Sequence, residues 1–212
     1  MPVRNPTVGS GVSSDHIVQF YDTAESRAQH VAAFLAEGYA AGESLIVVAK
    51  PVNWAAMIEP IEHLGVPVRD ASASGRLVVK DADDTLRRLS RNGSPDKALF
   101  EEVVGRPVTA MSRASGRRVR AYGEMVDMLA QRSDFNDAVA LELLWNDLSE
   151  RTPIFLLCGY CSAHFVSTGT HGALRDICRS HTGIRGHAQD PLAAWVLNAA
   201  HNAPAGGNSL RH

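Results

Sequence analysis

The stretch FLLCGYCSAHF, residues 155–165, sets Cys158, Cys161 and His164 at C-x-x-C-x-x-H spacing. Cys178 and His181 follow as C-x-x-H. Thiolates and imidazoles at such intervals suit a tetrahedral metal such as zinc, which takes sulfur and nitrogen donors. The same C-G-Y-C at a strand–helix junction suits thiol–disulfide exchange, because a helix N-terminus lowers a thiol pKa. A third reading makes Cys158 the end of a buried strand that walls a pocket, packing there as a small apolar residue. Spacing alone leaves all three open. The metal alternative comprises Cys158, Cys161, His164, Cys178 and His181.

Other residues bear on the pocket reading. RAYGEM, 120–125, places Arg120 and Tyr122 on one face of a strand, with Glu124 in the first turn of the next helix. Glu142, Trp145 and Asn146 share a helical face at i, i+3, i+4 spacing. A glutamate beside a tryptophan on an apolar face can serve a ligand. The plainer reading makes Trp145 core and Glu142 a solvated or ion-paired edge, since charged residues are mostly exposed. His16 and Tyr21 lie on the first strand, and Tyr160 lies two residues beyond Cys158. Glu124 and Glu142 form an acid–base pair only if the fold brings them together. No nucleophile–base–orienter set is readable from the spacing.

Alternating strands and helices must position these side chains. HIVQFY (16–21) is rich in β-branched and aromatic residues and reads as a strand. Asp22 with Glu25 reads as a capping pair for a helix over 24–41, where Val31, Phe34, Leu35 and Tyr39 recur at helical spacing. SLIVVA (44–49) is a continuous apolar run, as a parallel strand covered on both faces requires. Pro51 opens a helix over roughly 52–64. A third strand follows at 76–80, then helices near 81–91 and 95–115 broken by the turn NGSP. Strand 117–122, a helix from GEMVDMLAQ, a helix over 136–149 and the strand IFLLCGY complete the core. Helices near 162–168 and 170–181 are expected after it. This alternation predicts an α/β fold in three layers, a mostly parallel sheet with helices on both faces. Its ligand crevice lies beyond the carboxyl ends of the strands.

The chain has 212 residues, 45% apolar and 21% charged, with a formal net charge of −2. That composition is ordinary for a globular protein and has no basic surplus for direct nucleic-acid binding. No apolar run is long enough to span a bilayer, and the N-terminus lacks a signal segment. Three cysteines fit a reducing, cytoplasmic setting. G-x-x-x-x-G-K-[ST], G-x-G-x-x-G and G-x-S-x-G are all absent, which argues against nucleotide hydrolysis, NAD chemistry and serine hydrolysis.

HIVQFYD, FLAEGYAAGESLIVVAKP, RAYGEMVDML, ELLWNDL, FLLCGY and ICRSH occur in an order that resembles the MEDS domain. This sensory domain is named for methanogens, methylotrophs and the repressor DcmR. The resemblance runs from about His16 to His181. It implies a RecA/KaiC-like fold without a working phosphate-binding loop, and sensing of hydrocarbon derivatives in signal transduction or transcriptional regulation. The matching positions are His16, Tyr21, Tyr122, Glu124, Glu142, Trp145, Asn146, Cys158, Tyr160, Cys178 and His181. Cys161 and His164 lie outside the matching motifs.

Three segments are expected: a disordered lead-in over 1–14, the sensory domain over 15–185, and a short helix with a loose tail over 186–212. The expected protein is not an enzyme and needs no cofactor. It binds a small molecule through His16, Tyr21, Tyr122, Glu124, Glu142, Trp145, Asn146, Cys158 and Tyr160, meeting in one hollow at the sheet edge. About thirty residues follow His181, too few for a kinase or a helix-turn-helix. Output is therefore expected through a separate protein such as a kinase or regulator, without membrane or nucleic-acid contact. The alternatives are a metal- or redox-responsive protein and a degenerate ATPase-like interaction scaffold.

Overall fold

The computed structural model describes residues 15–185; the expected lead-in and tail lie outside them. Elements follow in chain order: β1 (Asp15–Tyr21), α1 (Ala24–Ala40), β2 (Ser44–Ala49), α2 (Pro51–His63), α3 (Val68–Ala73), β3 (Leu77–Asp81) and α4 (Ala82–Leu89). A small hairpin, β4 (Ser90–Arg91) and β5 (Ser94–Pro95), precedes α5 (Lys97–Phe100). A single π-helical turn at Glu101–Gly105 leads into α6 (Arg106–Ser115). Then come β6 (Val119–Gly123), α7 (Met125–Gln131), α8 (Phe135–Ser149), β7 (Ile154–Cys161), α9 (His171–Arg179) and β8 (Gly183–Arg185).

Six strands form one sheet in the order β3-β2-β6-β7-β1-β8, and every pair is parallel. The central strands are apolar on both faces, so each face needs a helical cover. One cover is α1, α2 and α3: Val31, Phe34, Leu35, Met57 and Ile61 pack on Leu45, Val47, Tyr122 and Leu157. The other comes from α4 through α9. Leu86, Phe100, Val104, Leu141, Trp145 and Ile177 pack there against Val18, Ile46, Ala121 and Leu156. The three-layer α/β fold expected from the sequence is thus present.

Several boundaries differ from the sequence reading for identifiable reasons. The N-cap of α1 is Thr23 rather than Asp22; its hydroxyl accepts from the Ser26 amide at 3.0 Å. The helix expected from residue 95 begins at Lys97, because Pro95 pairs in the hairpin and Asp96 caps the Ala98 and Leu99 amides. Asn92 and Gly93 both have positive φ, the Asn-Gly signature of a two-residue hairpin turn. After β7 the chain makes two 3-10 turns, Ser162–Phe165 and Thr168–Thr170, in place of the helix expected over 162–168. Two short elements had no readable period: α3 and β8. The Thr182 amide donates to the His16 carbonyl at 2.7 Å and starts the pairing of β8 with β1.

Candidate functional site

The sheet divides the expected pocket residues between its two faces. Along β7, Cys158 and Tyr160 point toward α8, while Gly159 points toward α1, as strand alternation requires. His16 shares the α8 face; Tyr21 and Tyr122 share the other. The nine residues therefore do not line one hollow. Eight of them, all but Trp145, form two polar clusters back to back.

The first cluster lies between the sheet and α8. Glu142 projects from α8 and is fully buried. Its Oε1 accepts from the Tyr160 hydroxyl at 2.7 Å, and its Oε2 accepts from the Cys158 thiol at 3.1 Å. His16 Nε2 lies 3.1 Å from Oε2 and 3.3 Å from Cys158 Sγ. His181, just past the end of α9, brings its Nε2 to 3.4 Å from Oε1. The two imidazoles pack with ring centroids 4.1 Å apart. One donor atom from each of His16, Glu142, Cys158 and His181 falls within 4.8 Å of all the others.

Outer partners fix both imidazoles. Asn146, one turn beyond Glu142 on α8, donates from Nδ2 to the Ser180 carbonyl at 2.9 Å. Its Oδ1 therefore faces His16 Nδ1, at 2.8 Å, and Nδ1 must donate. His181 Nδ1 lies 2.7 Å from the Ile177 carbonyl, which can only accept. Both Nε2 atoms thus point inward, and His181 Nε2 is buried without a hydrogen-bond partner.

The electrostatics follow from burial. Burial pushes the Glu142 carboxyl up, but the electrostatic pull of the neighbouring His181 and His16 imidazoles outweighs it and holds it well below the usual range. Burial, then the Glu142 charge, raises the Cys158 and Tyr160 groups far above their ordinary values. Both stay protonated donors.

The second cluster sits at the carboxyl ends of the strands, on the α1–α2 side. Tyr21 ends β1, Tyr122 is the penultimate residue of β6, and Glu124 follows β6 directly. Gly159 lies beneath the two rings: a Cβ there would come within 2.5 Å of Tyr21 and 3.2 Å of Tyr122. Asn53, in the first turn of α2, donates from Nδ2 to Glu124 Oε2. Its Oδ1 accepts from Arg27, in the first turn of α1. Among the described residues the Tyr21 and Tyr122 hydroxyls, Glu124 Oε1 and Arg27 Nε are buried without a hydrogen-bond partner. Burial raises the Glu124 pKa, against the opposing pull of Asn53 and Arg27. Burial also raises both tyrosines. Arg27 and Asn53 are half-buried, so this cluster reaches the surface.

Trp145 belongs to neither cluster. It stands edge-on to Phe100, ring centroids 5.3 Å apart, inside the apolar layer. The C-x-x-C-x-x-H spacing gathers no site. β7 continues through Cys161, so Cys158 and Cys161, three apart on an extended strand, face opposite ways. The Cys161 amide and His164 Nε2 instead meet Asp127 Oδ1, at 2.7 and 3.2 Å. Cys178 lies half-buried against the core, its thiol pushed up to about 12 by burial. Of the five residues in the metal alternative, only Cys158 and His181 meet.

Sequence reasoning missed Arg27, Asn53 and Gly159. The first two stand in the opening turns of helices that follow strands, the positions that rim the crevice of an α/β sheet. The link from β1 to α1 is only Asp22–Thr23, with no glycine, too short to cradle a phosphate.

Among the described residues no helix is long and apolar enough to cross a membrane. A comparison with curated proteins finds no match. The family model described as "MEthanogen/methylotroph, DcmR Sensory domain" matches residues 15–182, a span that holds both clusters entire. The chain belongs to this family, the MEDS sensory domains.

Proposed function

We propose that the protein is a receptor for a small organic molecule carrying one polar head, bound beside Tyr21, Tyr122, Glu124 and Arg27. What supports this reading is the set of four buried polar atoms there without partners. Native proteins pair such atoms in the great majority of cases, so four together support a further polar group at this place. The phenol rings supply an apolar, aromatic wall, and the half-buried Arg27 and Asn53 give a route in. A hydroxyl or amine head would accept from one tyrosine and donate to Glu124, and a carbonyl head would accept from a tyrosine or from Arg27. A hydrocarbon derivative has that shape, in keeping with the sensory family.

The role is binding rather than turnover. Burial keeps both phenols protonated, and the second carboxylate, Glu142, lies across the sheet from Glu124 rather than beside it. The bound molecule would favour one of two conformations and so alter contact with a separate protein, such as a kinase or transcriptional regulator. No direct contact with nucleic acid or membrane is part of this reading.

The test is a thermal-shift and calorimetric screen of short alcohols, aldehydes, amines and halogenated one-carbon compounds. At least one should raise the melting temperature of the wild type and lose its effect in Tyr21→Phe or Tyr122→Phe. A ligand that binds both variants and Glu124→Gln as tightly as the wild type places the receptor site elsewhere.

A further inference from the structure

We propose that His16 Nε2, His181 Nε2, the Glu142 carboxylate and the Cys158 sulfur bind one divalent transition-metal ion of the zinc type. The inference is independent of the receptor site on the opposite face.

Four observations carry it. The donors converge: one atom from each residue lies within 4.8 Å of the rest. Bonds of about 2.0–2.3 Å in a tetrahedral site set donors about 3.3–3.7 Å apart. The separations of 3.1 Å (His16 to Glu142 Oε2), 3.3 Å (His16 to Cys158) and 3.4 Å (His181 to Glu142 Oε1) fall at or just short of that range, and the wider pairs, up to 4.8 Å, must draw in as the carboxylate turns to the ion. The imidazoles are preset. Asn146 and the Ile177 carbonyl take the Nδ1 protons, which aims both Nε2 atoms inward as the ring positions left to ligate. Such outer hydrogen bonds accompany histidines that ligate metals. The buried Glu142 carboxylate also needs positive charge beside it, which either protons on the two Nε2 atoms or a bound ion can supply. His181 Nε2 faces that carboxylate and makes no hydrogen bond to it. Finally, Tyr160 donates to Glu142 Oε1 and would hold the carboxylate as it turns to the ion.

The charges balance. On binding, Cys158 gives up its thiol proton to solvent. Thiolate and carboxylate then neutralise the dication, with both imidazoles neutral. No oxidant or reductant is involved. All four ligands come from the protein, so the site is closed and structural in type. It would clasp β1, α8, β7 and the segment after α9.

The test uses the purified full chain, stripped with a chelator and titrated with Co²⁺. Binding should saturate at one equivalent. It should produce tetrahedral ligand-field bands and a near-ultraviolet thiolate-to-cobalt band, and zinc should displace both. Calorimetry in buffers of different ionisation enthalpy should report one proton released per ion. Cys161→Ser should keep the charge-transfer band and Cys158→Ser should lose it. A wild type that binds no stoichiometric ion overturns the proposal, as does a band that survives Cys158→Ser. Should Cys158→Ser not fold, zinc-edge absorption of the wild type decides: two nitrogens, one oxygen and one sulfur support the site, and a sulfur-rich shell refutes it. Nitrogen NMR that finds both imidazoles doubly protonated after zinc addition means protons supply the missing charge, and it also refutes the site.

Discussion

Cys158 and Gly159 are consecutive on β7 and serve opposite sides of the sheet. The thiol of Cys158 donates to Glu142 beneath α8, while Gly159 supports the rings of Tyr21 and Tyr122 beneath α1 and α2. One peptide unit therefore joins the two polar clusters.

That relationship makes two glycines unequal. In Gly159→Ala the new methyl would meet both tyrosine rings, at 2.5 and 3.2 Å, and must displace them. The expected cost is about 1–3 kcal/mol. Gly123 sits beside Cys158 in register, and open space lies where its Cβ would stand. Gly123→Ala should be neutral or stabilising by about 0.4–1 kcal/mol, since it restricts the unfolded chain. Urea unfolding of the two variants checks the order.

Glu124 should make stability depend on pH. Its folded pKa is raised by burial, opposed by Asn53, Arg27 and the Lys50 backbone and reinforced by Asp127. An acid with a raised folded pKa stabilises fully below its unfolded value, near 4.5, and loses that contribution as pH rises through the folded value. Glu124→Gln keeps the neutral shape and lacks the loss. The variant should therefore gain on the wild type as pH increases from about 4.5 toward 8, by up to about 1.4 kcal/mol for each tenfold change in proton affinity. A difference that stays constant across that range in denaturant titrations contradicts the assignment.

The tyrosine hydroxyls should separate by their partners. Tyr160→Phe strips Glu142 Oε1 of a 2.7 Å donor in a fully buried setting. It should cost about 1–3 kcal/mol. Tyr21→Phe and Tyr122→Phe remove hydroxyls that interact with each other without full hydrogen-bond geometry, and should change stability little or raise it slightly. Equal losses in all three variants would disprove the contrast.

At the amino edge of the sheet, Arg120 Nε donates to Glu43 at 2.6 Å and Nη1 to the Phe34 carbonyl at 2.9 Å. Arg120 is 4% exposed and Glu43 is 5% exposed. Glu43→Ala removes the buried partner of Arg120 and leaves it the more exposed Glu37 at 3.2 Å and the Phe34 carbonyl, and should cost about 1.5–3 kcal/mol. Lys97→Ala breaks an ion pair of similar length with Asp147, but in solvent, and should fall within about 0.5 kcal/mol of the wild type. Parallel unfolding curves test both.

Much of the architecture was legible because long apolar periods report it. SLIVVA and IFLLCGY could only be strands covered on both faces, and the helix after residue 135 carried a full apolar face. β8 was not legible: three residues, Gly183–Arg185, have no period, and their pairing depends on a strand over 160 residues earlier. At the sites, residue types were readable and their partners were not. C-x-x-C-x-x-H suggested neighbours, yet the extended backbone turns Cys158 and Cys161 apart. His16, Glu142, Cys158 and His181 share no local spacing, and only the register of β1 on β7 and the docking of α8 bring them together. Trp145 read as a pocket wall through its spacing from Glu142, and the aromatic face of Phe100 claims it.

The strand order has a cost during synthesis. β1 is made first, yet both its neighbours, β7 and β8, come from residues 154–185. Until the ribosome has released nearly the whole domain, β1 keeps two open edges, and long-range parallel pairing is slow to form. Nascent chains arrested before residue 154 should therefore associate with chaperones or with each other. Native-like protection from proteolysis should arise in one late step rather than grow with chain length.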